Sequence, residues 1–193
     1  MADLAAKLRE RLGRLRPEPA LSLAALRIVV PLMVLLAPGF REGVRVARWE
    51  PVRWVAPEGL GWFVAHVPID ARLAVVAELV MAASALMAVV GIYTRPALVT
   101  LTVATFYLFS IAQLGGHVWH DMHLLWFCAL LASSPCDDVL AVDAKHPVLT
   151  EGVAYALPIW VARGLLAAIY FFPGFHKLAR SGMAWALSDN LRN

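Results

Sequence analysis

Residues 71–93 read ARLAVVAELVMAASALMAVVGIY, an apolar run interrupted only by Arg72 and Glu78. A hydrocarbon core about 30 Å thick is crossed by about 20 apolar residues in a helix rising about 1.5 Å per residue. This stretch therefore predicts a membrane-spanning helix. Thr94-Arg95-Pro96 then marks a turn, residues 97–114 form a second apolar run, and Gly115-Gly116 closes it. The pair predicts an antiparallel helical hairpin.

Working outward, residues 21–38, 118–134 and 157–175 supply three further candidate spans. The fold class expected is all-α, a polytopic membrane helix bundle with about five transmembrane helices over residues 20–193. Of the 193 residues, 61% are hydrophobic and 16% charged, and the mean hydropathy of +0.68 argues against a water-solvated globule. The 118–134 span reaches bilayer length only if its helix starts near His117. Pro31 predicts a kink in the first span, and Pro135 to Gly152 reads as a polar connection.

Residues 1–19 alternate Leu and Ala with Lys7, Arg9, Arg11, Arg14 and Arg16 before Pro17 and Pro19. That is the pattern of a basic amphipathic helix on an anionic leaflet. The net charge of +3 is concentrated there, so it reads as a topology signal and not as a nucleic-acid surface. The signal places the N-terminus in the cytoplasm of a bacterial-type cytoplasmic membrane, although Arg41, Arg45, Arg48 and Arg53 in the first loop run against it. Ala37-Pro38-Gly39 lacks a small-residue cleavage pattern, so the first span reads as a retained anchor. Trp49, Trp54, Trp62 and Phe63 make the first loop an interfacial or re-entrant cap. Cys128 and Cys136 form no CxxC pair and read as packing residues.

Three charges fall inside the spans. An ionised side chain at the centre of a spanning helix costs on the order of 3 kcal/mol, so each needs a reason. Arg27 and Arg163 lie about 9 Å inside the cytoplasmic ends of their spans at 1.5 Å per residue, within partial snorkelling reach. Glu78 enters from the opposite face and is too short to snorkel. It is expected to face the bundle interior, as a structural polar contact or as part of an outer cavity.

His117, His120 and His123 recur every third residue and spread over an arc of about 120° on a helix. That arrangement suits hydrogen-bonding groups at a water-filled mouth better than the i, i+4 pairing zinc favours, and no metal is expected.

The most specific stretch is Tyr170-Phe171-Phe172-Pro173-Gly174-Phe175-His176-Lys177-Leu178. It resembles the segment of vitamin K-dependent gamma-glutamyl carboxylases in which Tyr-Phe, a Gly three residues on and Lys-Leu follow an apolar helix. A second stretch, His123-Leu124-Leu125-Trp126 running to Ser133-Ser134-Pro135-Cys136 and the Asp143 region, is similar to the fourth-helix exit of the wider horizontally transferred transmembrane, or HTTM, family. The family pattern has Asn where Met122 stands and a second Lys where His176 stands.

The resemblance implies that Lys177 acts as the base toward a reduced vitamin K or menaquinone-like quinol, with His123 helping to hold the reacting oxygen. An amine in an apolar pocket gives up its proton more readily than one in water, which makes that role chemically coherent. Candidate substrate contacts are His117 and His120 at the mouth, Glu78 beneath it, and Tyr170 and Trp126 from the two shared stretches. The carboxylases continue into further helices and a large outer domain, whereas this sequence stops at Asn193. The alternative is therefore a non-catalytic membrane subunit resembling the short DoxX or MauE-like proteins, which serves as an anchor or quinone contact for a redox partner. The partners expected are the lipid bilayer and a membrane subunit or redox protein, with no nucleic acid.

Overall fold

A computed structural model describes residues 16–116, 120–144, 146 and 150–182. The basic N-terminal segment before residue 16 and His117 lie outside the described residues. Among the described residues seven α-helices follow in order: α1 (Ala20–Leu36), α2 (Gly39–Ala47), α3 (Gly61–His66), α4 (Ala71–Val90), α5 (Thr94–Gln113), α6 (His123–Ala132) and α7 (Val153–Ser181). Two short strands, β1 (Glu18–Pro19) and β2 (Glu151–Gly152), pair antiparallel. The chain divides into two compact units, Met1–Ile159 and Trp160–Asn193, so α7 gives its first turns to one and the rest to the other.

Within the first unit α5 is the central helix. It packs against α2, α4 and α6, and α1 packs against α4 and α6. The buried positions of α4 are Ala74, Met81, Ser84, Ala85 and Ala88, while Leu73, Val76, Leu79, Leu86 and Val90 face outward. Small residues inside and bulky apolar ones outside invert the pattern of a water-soluble helix. They let helix axes approach closely and leave the large side chains to lipid.

Three helices, α4, α5 and α7, are long and apolar enough to cross a membrane, and α1 with α2, bent by 40° at their junction, make a fourth if the pair is one broken span. This is the make-up of an integral membrane protein, with three or four helical spans by length and composition among the described residues, where about five were expected. The remaining candidate is 118–134. There the α-helix begins only at His123, after a 3-10 turn at His120–Met122, and ends at Ala132. At 1.5 Å per residue its 10 residues reach about 15 Å, half a hydrocarbon core. The late start has a visible cause, since the Asp121 carboxylate accepts a bond of 3.0 Å from the backbone N–H of Gly39 and holds this turn against the start of α2. At the other end Ser133 and Ser134 turn their hydroxyls back onto the Leu130 and Leu131 carbonyls, at 2.8 and 3.0 Å.

The first span also breaks elsewhere than expected. Pro31 is accommodated inside α1, and the chain turns at Ala37–Pro38. The segment after α2 covers the C-terminal end of α5. Val55 N–H donates to Leu114 O at 2.9 Å, Trp54 Nε1 donates to Val46 O at 3.3 Å, and the buried Phe63 ring meets Phe106 edge-on.

Arg27 differs most from its sequence reading. Where snorkelling was expected, its side chain is fully buried in the protein. Nη1 donates to the carbonyls of Ala88 at 2.7 Å and Val89 at 3.1 Å, and Nη2 donates to the carbonyl of Leu140. Ala88 and Val89 belong to the last turn of α4, whose carbonyls have no helical partner of their own. The guanidinium thus caps α4 from a neighbouring helix, with its positive charge at the negative end of the helix dipole.

Gly91 makes room for it. This residue closes α4 with φ +80°, and a Cβ there would fall 2.6 Å from Arg27 Nη1 and 2.4 Å from Ala141 Cβ. The loop after Cys136 then docks on the α4–α5 turn. Val142 and Asp143 donate their N–H groups to the Val90 and Gly91 carbonyls at 3.3 and 3.1 Å, and the Asp143 carboxylate accepts from Tyr93 N–H at 2.6 Å.

Gly43 sets the approach of α2 to α5, because a Cβ there would lie 2.6 Å from the Leu108 carbonyl oxygen. Backbone cannot yield as a side-chain tip can. Gly43→Ala is expected to destabilise the bundle by about 1–3 kcal/mol through this overpacking, measured as a lowered unfolding midpoint in detergent. An unchanged midpoint would show that the two helices are not held this close.

Candidate functional site

The candidate residues fall into two groups, one in each compact unit. In the first, the turn before α6 carries His120, exposed, and His123, half-buried, with Asp121 between them committed to the Gly39 backbone. Asp121 is thereby the link between this turn and α2. Trp126 is one α6 turn further on and 60% exposed, while Leu124, Leu125, Cys128 and Leu131 form the buried face of α6. Among the described residues no group of three His, Cys, Asp or Glu side chains is arranged to hold a metal ion.

Glu78 lies on α4 at half-burial, at the edge of the face formed by Ala74, Met81 and Ala85. Among the described residues no hydrogen bond or ion pair is made to it. The sequence expectation of an interior polar contact is therefore met in placement only halfway.

On another face of the same helix, α4 and α5 enclose a groove of about 420 Å³ lined by Leu73, Val76, Val80, Val99, Val103 and Tyr107 among others. The Tyr107 hydroxyl donates to the Pro68 carbonyl at 3.0 Å. With that group engaged, the groove offers shape and apolar surface for a lipid or isoprenoid chain, and no acid or base.

The second group lies on α7. Tyr170, Phe171, Phe172, Phe175 and Leu178 are all more than half exposed, and His176 and Lys177 are exposed among them. Phe171 stacks on Phe175 with ring centroids 5.7 Å apart and meets Phe172 edge-on at 5.6 Å. Nearer the start of this unit the Arg163 guanidinium sits over the Trp160 ring, 5.4 Å from its centroid. That contact gives a charge within an apolar helix a favourable neighbour. Lys177 and His123, paired by the family resemblance, thus belong to different units.

Sequence reading missed the polar cluster where α1, the α4–α5 turn and the 136–144 loop meet: Arg27, Thr94, Asp137 and Asp143. The signals were present as Gly91, which ends α4, and as Asp137-Asp138 directly after the Ser-Ser-Pro-Cys exit. Asp138 accepts a bond of 2.8 Å from the Tyr155 hydroxyl and ties the start of α7 to the same loop.

Compared with known proteins, the chain matches no family model, no curated protein and no solved structure. The resemblance to the HTTM family therefore rests on the two sequence stretches alone.

Burial pushes the Cys136 thiol up to about 11, against an opposing bond from Ser134; Asp137 raises it further and Arg27 draws it down. A thiol held that high is almost wholly protonated near pH 7.5, and the thiolate is the reactive form. Maleimide is expected to label Cys136 in the folded protein at least about 100-fold more slowly than in the unfolded chain, read by peptide mass mapping. Labelling at the unfolded rate would mean that the loop after α6 is open.

Proposed function

We propose that this protein is a membrane subunit whose first unit is a rigid helical platform and whose α7 offers a packing face to another membrane helix. The observation that carries this reading is the spacing along the second unit. Trp160, Gly164, Ala167, Phe171, Gly174 and Leu178 follow one another at alternating intervals of four and three, the repeat that keeps one seam on one side of a helix. Gly164, Ala167 and Gly174 make notches between the larger Trp160, Phe171 and Leu178, and a Cβ at Gly164 or Gly174 would meet no atom outside its own helix backbone within 4 Å. Within lipid, where there is no hydrophobic gain from burial, such knobs and notches are what allow helices to associate.

The basic N-terminal segment supports an N-terminus in the cytoplasm. On that orientation the histidine turn belongs to the outer face. The apolar α4–α5 groove suits a chain of the surrounding lipid or of a quinone, consistent with a DoxX or MauE-like subunit that contacts quinone beside a redox partner.

A second reading is favoured by the sequence position of Lys177 within the aromatic stretch from Tyr170 to Leu178. Here the chain acts, as the resemblance to vitamin K-dependent carboxylases implies, on a quinol-like lipid-soluble substrate. The Lys177 amine takes the hydroxyl proton of the quinol.

One experiment separates the two. The protein is extracted from native membranes in mild detergent, its partners are identified by cross-linking mass spectrometry, and the same preparation is incubated with menaquinol and oxygen. The subunit reading predicts a stable membrane partner that is lost in Gly164→Ile, with no quinone epoxide formed. Epoxide from the lone chain, abolished in Lys177→Ala, would replace it with the catalytic reading.

A further inference from the structure

Four buried side-chain atoms among the described residues make no hydrogen bond, and three of them, Arg27 Nε, Thr94 Oγ1 and Asp137 Oδ1, belong to the junction of α1, the α4–α5 turn and the 136–144 loop. Leaving such groups dry is costly, typically about 1–3 kcal/mol each and more when the group is charged. Three at one junction point to a shared cause.

Their placement supports one. Arg27 already uses both Nη atoms on the Ala88, Val89 and Leu140 carbonyls, and Nε is the one guanidinium nitrogen left without a partner. Asp137 lies within electrostatic reach of that guanidinium. Its Oδ1 stands 4.0 Å from Arg95 Nε, too far for a hydrogen bond. Thr94, next to Arg95 in the chain, is 2% exposed and opens α5 directly after the turn that Gly91 and Tyr93 form. The other polar groups of the loop are engaged elsewhere: Asp138 with Tyr155, Asp143 with Tyr93, and Cys136, whose thiol donates to Leu131 O at 3.3 Å.

The unmatched set is thus one donor on a cation, one acceptor on an anion and one hydroxyl able to do both. We propose that Arg27 Nε, Thr94 Oγ1 and Asp137 Oδ1 line an internal hydration site, in which bound water joins the buried arginine to the carboxylate across the threonine hydroxyl. Water accepts from Nε–H, donates to Oδ1 and exchanges a bond with Oγ1, which is the three-fold bonding usual for buried water. The site makes the Arg27–Asp137 charge pair a solvent-bridged one and fastens the 136–144 loop to the helix hairpin. An anion is disfavoured by Asp137, and a cation by Arg27 and Arg95.

Thr94→Val tests this by the sign of its effect, because valine has the shape of threonine without the hydroxyl. If the hydroxyl bridges water, its loss lowers the unfolding midpoint in detergent by about 2–4 °C and speeds maleimide labelling of Cys136 several-fold as the loop loosens. Thr94→Ser, which keeps the hydroxyl, then labels at the wild-type rate. If the hydroxyl is dry and orphaned, replacing it with a methyl group leaves the midpoint unchanged or raises it. That result, with unaltered Cys136 labelling, overturns the proposal.

Discussion

A guanidinium fully enclosed by protein must find its hydrogen-bond partners within the fold, and Arg27 finds them in backbone carbonyls. Bonds to a charged group contribute about 1.5–3 kcal/mol each, enough for several together to offset the withdrawal of one cation from water. The geometry this demands is narrow. The last turn of α4 must end where Arg27 can reach it, Gly91 must lack a side chain, and the loop bearing Leu140 must return over the hairpin. The left-handed conformations of Gly91, Tyr93 and Leu140, with φ of +80°, +46° and +54°, are all found at this junction. Strain there is compensated by the bonds from Tyr93 to Asp143 and from Arg27 to Leu140.

From that junction the rest of the first unit follows by close packing. Ala74, Ala85 and Ala88 on α4 and Gly43 on α2 bring helix axes near α5, while Leu and Val side chains occupy the outward faces. The far end of α5 is closed by a different device, a cap of α2, Val55, Trp54 and Phe63 tied to α6 through Asp121. One end of the bundle is therefore fixed by a buried charge and the other by aromatic and backbone contacts. The apolar groove opens on the flank between α4 and α5.

Apolar length was legible in the sequence, and tertiary capping was not. Residues 71–93 and 97–114 became α4 and α5 nearly as expected, because long uninterrupted apolar runs with turn residues between them have few other solutions. Within the 118–134 run the α-helix is shorter than expected, because hydropathy does not register that Asp121 is drawn to Gly39 or that Ser133 and Ser134 fold back on their own helix. Arg27 was visible as an anomaly, yet its partner carbonyls lie far along the chain and carry no side-chain signature. Of the candidate site, His120, His123, Trp126, Tyr170 and Lys177 were nameable from two short stretches. Their distribution over two units was not, since no local pattern encodes it.

Arg27, enclosed by protein, holds α4 and the 136–144 loop together. Equilibrium unfolding in bicelles of the wild type, Arg27→Lys and Arg27→Met tests it most directly. An interior cap predicts that Arg27→Met loses at least about 3 kcal/mol as two or more charge-assisted bonds disappear, with Arg27→Lys falling in between because an ammonium reaches fewer carbonyls. An arginine that merely snorkels to the headgroups would give Arg27→Met a stability equal to or above that of the wild type, and that outcome would contradict the account.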